Sequence, residues 1–291
     1  GRIQSHNMFS SVISSAFTVG FGGSVGLEGP TVATGAAIGS NVGRLFHLNY
    51  KQIVLLLGCA STGAMAAIFK APIAAIIFAL EVIMLDLTMA SLVPLLLASL
   101  SAVLTSYLFL GKNVLYAVNV SSGFELHQVW IYIALGILAG FVSVYFTKMY
   151  MWVGKMFKGI KQWYHRLLLG GLVLGGLIFL FPSLYGEGYE VINATLNGST
   201  AHLFENTVYA NYSQNIAIMI LIFVLVILMK VVATSVTFAS GGVGGIFAPS
   251  LFIGANMGLM FSVGMHALGM DVSLIHCALV GMAGTIAGII H

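Results

Sequence analysis

Glu28 is the only charged side chain between Arg2 and Arg44, and it stands in the run Gly26-Leu27-Glu28-Gly29-Pro30. A second run of the same build, Gly245-Ile246-Phe247-Ala248-Pro249, lies 219 residues further on. Two glycines come after each proline at matching spacing, Gly35 and Gly39 in the first case, Gly254 and Gly258 in the second. Another glycine precedes each proline by seven residues (Gly23, Gly242). Glycine lets a chain bend where other residues resist. Proline in the first turn starts a helix without wasting a donor. The pattern therefore predicts two helix starts, each reached through a sharp bend.

A helix N-terminus presents unused N–H groups and about half a positive charge. Two such ends aimed at one point inside a membrane would make an anion site containing no full cation. Neutral donors suit a conduction path, because they replace hydration and still let the ion leave. Neither start carries a basic residue within several positions. The expected path runs between the residues near Glu28 and those near Ile246 and Phe247. Ionisable groups inside membrane segments are costly and usually functional. An ionised Glu28 would compete with the anion for the same N–H groups and would swing away when protonated or displaced, so it is expected to act as a gate. Beyond the prolines, the Gly-xxx-Gly spacings are expected to let neighbouring helices approach closely.

The elements that position these residues are set by composition. Of 291 residues, 59% are hydrophobic and 7% charged, against roughly 25% charged in soluble domains. So few charges cannot cover a water-facing surface, and the solvent must be largely lipid. Six stretches approach the roughly 20 apolar residues that a span needs: Ile53–Phe69, Thr88–Leu110, Val129–Tyr150, Leu167–Phe181, Ile216–Val236 and Ile246–Leu268. They lack the period-2 alternation of barrel strands, so the expectation is an all-α integral membrane bundle. The repeated motif is accompanied by Gly58, Ala60 and Thr62 recurring as Gly281, Ala283 and Thr285. Together these predict two halves with broken helices meeting near the midplane, in inverted topology. The first covers about residues 1–125 and the second about 126–291. Both ends of the chain read as truncated.

Five of the 11 basic residues are Lys148, Lys155, Lys158, Lys161 and Arg166. By the positive-inside bias, the 148–166 loop is expected in the cytoplasm, and the expected location is a plasma (inner) membrane. The connections Asn119–His127 and Ser183–Tyr212 are expected outside; they hold Glu125, Glu187, Glu190 and Glu205 and no Lys or Arg. Asn-x-Ser/Thr matches at Asn119, Asn193, Asn197 and Asn211 would matter only in a secretory-pathway protein. The basic residues are not arranged for nucleic acid. Cys59 and Cys277 have no metal-ligand spacing and are read as packing residues. Nothing points to a metal or cofactor. His266 and His276 are read as packing or loop residues. An intramembrane protease would want Gly-x-Ser-Gly, but Phe238 stands two positions before Ser240, and no His-Glu-x-x-His or phosphate loop is present. Enzymatic function is the distant alternative.

The two runs resemble the Gly-Lys/Arg-Glu-Gly-Pro and Gly-x-Phe-x-Pro motifs of the CLC family of chloride channels and chloride/proton exchangers. The segment Phe69-Lys70-Ala71-Pro72-Ile73 through Leu80-Glu81 is similar to the stretch downstream of the first motif in that family. The resemblance implies that Glu28 is the external gate, that the backbone amides of Ile246 and Phe247 bind chloride, and that the protein is a homodimer with one pore per subunit. Departures matter too. Leu27 stands where the family usually has Lys or Arg, which implies weaker attraction of outside anions. Val82 occupies the position of the exchangers' inner, proton-handling Glu; this tilts the expectation toward a channel, with a chloride/proton antiporter as the alternative. The family's remaining chloride ligands, a Ser and a Tyr, are not matched, and Ser24 and Ser240 are read as loop or packing residues. A fluoride-exporting branch tends to lose the first motif's proline and alter the Phe motif; Pro30 and Phe247 are both present.

Overall fold

The computed structural model describes residues 3–82, 89–116, 128–204, 207, 209–212 and 215–290. The expected span start at Thr88, the acids Glu125 and Glu205, Asn119 and the connection 119–127 lie outside the described residues. Among the described residues the chain is helical, with eleven α-helices and short 3-10 turns and no strand beyond one isolated bridge. Six helices are long and apolar enough to cross a membrane, and each expected span falls on one of them. The protein is an integral membrane protein.

The chain forms two compact units: residues 1–17 with 27–117, and residues 18–26 with 118–291. The first holds α1 (Asn7–Gly20, whose last turn belongs to the second unit), α2 (Glu28–Leu45), α3 (Tyr50–Phe69), α4 (Pro72–Val82) and α5 (Met89–Leu110). Asn49 starts α3 with a capping box, its side chain accepting from Gln52 N at 3.0 Å while Gln52 Oε1 accepts from Asn49 N at 3.1 Å. Lys70 ends it in a left-handed conformation (φ 52°), and Pro72 begins α4 two residues later. The Lys70 ammonium donates to the carbonyls of Gly111 and Asn113 beyond α5. The α2–α3 contact is close: a Cβ added at Gly35 or Gly39 would fall 2.8 Å from Ala60 O and 2.6 Å from Leu56 O. Cys59 packs with Ile76 and Leu95 from three different helices, as a small apolar residue does.

The second unit holds α6 (Val129–Lys158), α7 (Trp163–Leu180), α8 (Tyr189–Leu196), α9 (Ile216–Ala239), α10 (Phe247–Ala267) and α11 (Leu274–Ile290). Helix α6 runs two turns past the expected Tyr150. At 30 residues it is about 45 Å long, more than a hydrocarbon core of about 30 Å, so the end bearing Lys155 and Lys158 extends beyond an apolar layer. Helix α10 is the most enclosed of the six spans, with 72% of its apolar window buried, against 6% for α7. Glycine makes that enclosure possible. A Cβ at Gly254 would sit 2.5 Å from Gly281 O, and one at Gly258 would sit 2.1 Å from Cys277 O, both on α11. The Gly-xxx-Gly spacings thus bring α2 against α3 and α10 against α11.

Candidate functional site

The site is built from the two bends. Helix α1 ends at Gly20 and α9 at Ala239. Gly22 (φ 92°) and Gly241 (φ 102°) then reverse the chain, in a region L side chains rarely adopt. Gly23 N donates back to Thr18 O at 2.8 Å, and Gly242 N to Thr237 O at 2.9 Å, closing each helix end. The threonine hydroxyls then bond across. Ser24 N donates to Thr237 Oγ1 at 3.2 Å, and Val243 N to Thr18 Oγ1 at 3.0 Å. Two residues further, Gly26 N donates to Gly245 O at 2.9 Å and Gly245 N to Gly26 O at 2.7 Å. Equivalent residues (Thr18 and Thr237, Ser24 and Val243, Gly26 and Gly245) lie 219 positions apart in the chain, and exchanging them leaves the bonding pattern unchanged. All of these residues belong to the second unit.

Each extended segment then enters a helix: Leu27 leads into α2, Ile246 into α10. The caps match. Leu27 (φ −96°, ψ −8°) and Ile246 (φ −87°, ψ −7°) are both apolar and provide no side-chain cap. Thr31 Oγ1 donates to Leu27 O at 2.8 Å, and Ser250 Oγ to Ile246 O at 2.7 Å. By contrast, α3 and α9 are capped by Asn49 and Asn215 side chains, the ordinary partners of first-turn amides. The first intrahelical bond of α10 is Ser250 N to Ile246 O at 3.0 Å, so the amides of Ile246, Phe247 and Ala248 precede it, and Pro249 has none to offer. Ile246 also borders a cleft of about 180 Å³ shared with Phe146, Thr147 and Tyr150 of α6 and Ile289 of α11.

Of the residues singled out from the sequence, Gly26 and Gly245 are brought into direct contact. Ile246, Phe247, Ala248 and Pro249 open α10 in the second unit. Glu28, Gly29 and Pro30 open α2 in the first, with the Glu28 side chain buried (2% exposed). Val82 is the last residue of α4, and Glu81 before it is exposed. Ser24 is buried; its Oγ donates to Leu184 O at 2.7 Å, and its carbonyl accepts from Thr234 Oγ1 at 2.9 Å. Three residues that matter here escape the reading of the sequence. Thr18 and Thr237 emerge only when the 219-residue comparison is carried five positions upstream of Gly23 and Gly242. The third, Lys230, is a charged residue within an expected span, the same signal that singles out Glu28.

Thr237→Ala leaves the buried Ser24 amide without its acceptor and is expected to cost about 1–3 kcal/mol. Thr18→Ala strips a partner from the more exposed Val243 amide and should cost at most about 1 kcal/mol. Thermal unfolding in detergent, followed by size-exclusion chromatography, checks the order; equal losses would mean the cross-bonds do not carry the difference.

Comparisons with known proteins identify the family. The family model for the voltage gated chloride channel matches residues 1–291. A ClcB-like chloride channel protein of Ralstonia nicotianae is 32% identical over 96% of this chain and 62% of its own length. An H(+)/Cl(-) exchange transporter, ClcA, of Vibrio campbellii is 32% identical over 86% of this chain and 51% of its own. The chain thus spans less than two thirds of the length of these relatives. The crystal structure of a CLC-type fluoride/proton antiporter superposes with a TM-score of 0.70 at 26% identity, covering 95% of this chain and 64% of that one. With its helical membrane fold and a match along its whole length, the chain belongs to the voltage-gated chloride channel, or CLC, family, a family of channels and transporters rather than enzymes.

Proposed function

We propose that this chain forms part of a chloride-conducting path built from two inverted halves, about residues 1–125 and 126–291, and gated by Glu28. The observation that carries the reading is the reciprocal bonding around Gly26 and Gly245. A pattern unchanged by exchange of its halves is what an in-plane pseudo-two-fold axis produces, and ion sites in such folds lie at the repeat interface. The apolar caps are compatible with an anion as the ligand: Leu27 and Ile246 place no side-chain oxygen at the starts of α2 and α10. Amides of Ile246 and Phe247 serve as chloride donors, with Gly26, Gly29, Pro30, Gly245, Ala248 and Pro249 shaping the two starts. Glu28, buried at the first position of α2, competes with the ion when it is charged. The working unit is a homodimer in the plasma (inner) membrane, with the basic 148–166 region, which is the end of α6, a short connection and the start of α7 rather than one loop, on the cytoplasmic side.

Val82 in place of an inner acid favours a channel, in which protons are not coupled. The identity with an H(+)/Cl(-) exchange transporter keeps the antiporter as the second reading. The deciding experiment reconstitutes the full-length protein in liposomes and imposes a chloride gradient. Chloride flux without proton movement is expected. Uphill proton movement driven by chloride would make the protein an antiporter, and fluoride flux without chloride flux would make it a fluoride exporter.

A further inference from the structure

Among the described residues the buried charged side chains are two, Glu28 and Lys230. Lys230 lies in the middle of α9, a 24-residue span, and its side chain is fully buried. A cation placed there costs several kcal/mol in lipid, so its surroundings have to explain it. The ammonium donates to Leu184 O at 3.3 Å and to Gly186 O at 3.1 Å. On another side it sits 4.7 Å from the centre of the Phe252 ring on α10, within the range of a cation–π contact. The cage is shaped for this. Gly186 (φ 60°) and Gly188 (φ 84°) turn the chain to present the carbonyls. A Cβ at Gly188 would come within 2.6 Å of Phe252 Cδ2, so that glycine leaves room for the ring. Leu184 O also accepts from Ser24 Oγ, which ties the cage to the segment that pairs at Gly26.

The contacts named are neutral groups, which satisfy the ammonium protons without cancelling the charge. Glu187, in the same turn, interacts with it electrostatically and offsets it in part. Phe252 lies five residues into α10, about 7.5 Å along the axis from Phe247, so the charge adds to the positive end of the α10 dipole. The bonding frame around Gly26 and Gly245 repeats at 219 residues, but the charge does not: the position equivalent to Lys230 is Ser11.

We propose that Lys230 sets the anion affinity of the path: it is a caged intramembrane cation that draws the anion toward the start of α10. Because its protons are already engaged, it attracts the ion without ligating it, which leaves release fast. The proposal rests on the anion-path reading above. When protonated, Lys230 puts a unit charge roughly 12 Å from the α10 start, which in an interior of effective dielectric about 20 shifts occupancy about tenfold.

The test measures chloride uptake against chloride concentration, using full-length protein in liposomes after size-exclusion chromatography. Lys230→Met is expected to raise the half-saturating chloride concentration about tenfold with the maximal rate within about twofold, and Lys230→Arg to restore it. Glu187→Gln, which removes the opposing charge, should lower half-saturation about threefold when variant and wild type are compared at the same mildly acidic pH, where the ammonium stays protonated, and it decides the matter if the Met variant does not fold. An unchanged half-saturation in Lys230→Met, an Arg variant as impaired as the Met variant, or an unresponsive Glu187→Gln each overturns the proposal. Wild-type protein that moves no anion removes the path itself and this role with it; wild-type flux with an insensitive Lys230 removes only this role.

Discussion

Glu28→Gln is expected to raise the anion flux of the full-length protein about tenfold or more and to flatten its dependence on pH. The amide side chain keeps the size of the carboxyl group and loses its charge, as protonation would. Hydrogen bonds to charged groups are worth about 1.5–3 kcal/mol, and about 1.4 kcal/mol is a factor of ten in an equilibrium. Weakening the competition between carboxylate and chloride by that amount moves the gate from mostly closed to mostly open. In the wild type, acid should open the gate, because protonation removes the charge that holds Glu28 at the α2 start; in the variant that titration is gone. The measurement is liposome chloride efflux across a pH series. A variant whose flux and pH profile match the wild type takes Glu28 out of the gate.

Gly258→Ala is expected to destabilise the protein by about 3 kcal/mol or more, at the high end of overpacking costs. The reason is geometric. The new Cβ would lie 2.1 Å from the Cys277 carbonyl oxygen and 2.5 Å from its carbon, and backbone atoms cannot rotate out of the way as a side chain can. Helix α11 would have to move off α10, losing contact along the whole Gly254–Gly258–Gly281 seam. Gly176→Ala on α7 is the matching control: nothing lies within 4 Å of its added Cβ. There the intrinsic helix preference for alanine should dominate, a gain of up to about 1 kcal/mol. Thermal stability in detergent separates the two. A Gly258 variant as stable as Gly176→Ala would show that the α10–α11 seam is not close-packed.

Much of the fold is legible in the sequence because membrane spans announce themselves in short windows. Each of the six apolar stretches lies on a helix, since lipid leaves the backbone no other way to satisfy itself there. Boundaries are less legible. Helix α6 continues to Lys158 because lysine propagates a helix as well as apolar residues do, and hydropathy registers only where the apolar layer stops. Helices α2 and α4 escape a hydropathy reading, one being glycine-rich and the other short. The starts at Glu28 and Phe247 are visible because glycine and proline act locally, within a few residues of the bend they cause.

What the residues determine unaided, then, is the solvent, the helical class and the two Gly-Pro starts with a lone acid at one of them, all consequences of interactions within a turn or two of chain. Tertiary structure alone decides which groups meet. The cross-bonds of Thr18 and Thr237, the sharing of Leu184 O by Ser24 and Lys230, and the ring of Phe252 over that ammonium join residues up to 225 positions apart. Such contacts depend on how helices pack, and no local window of sequence carries that information.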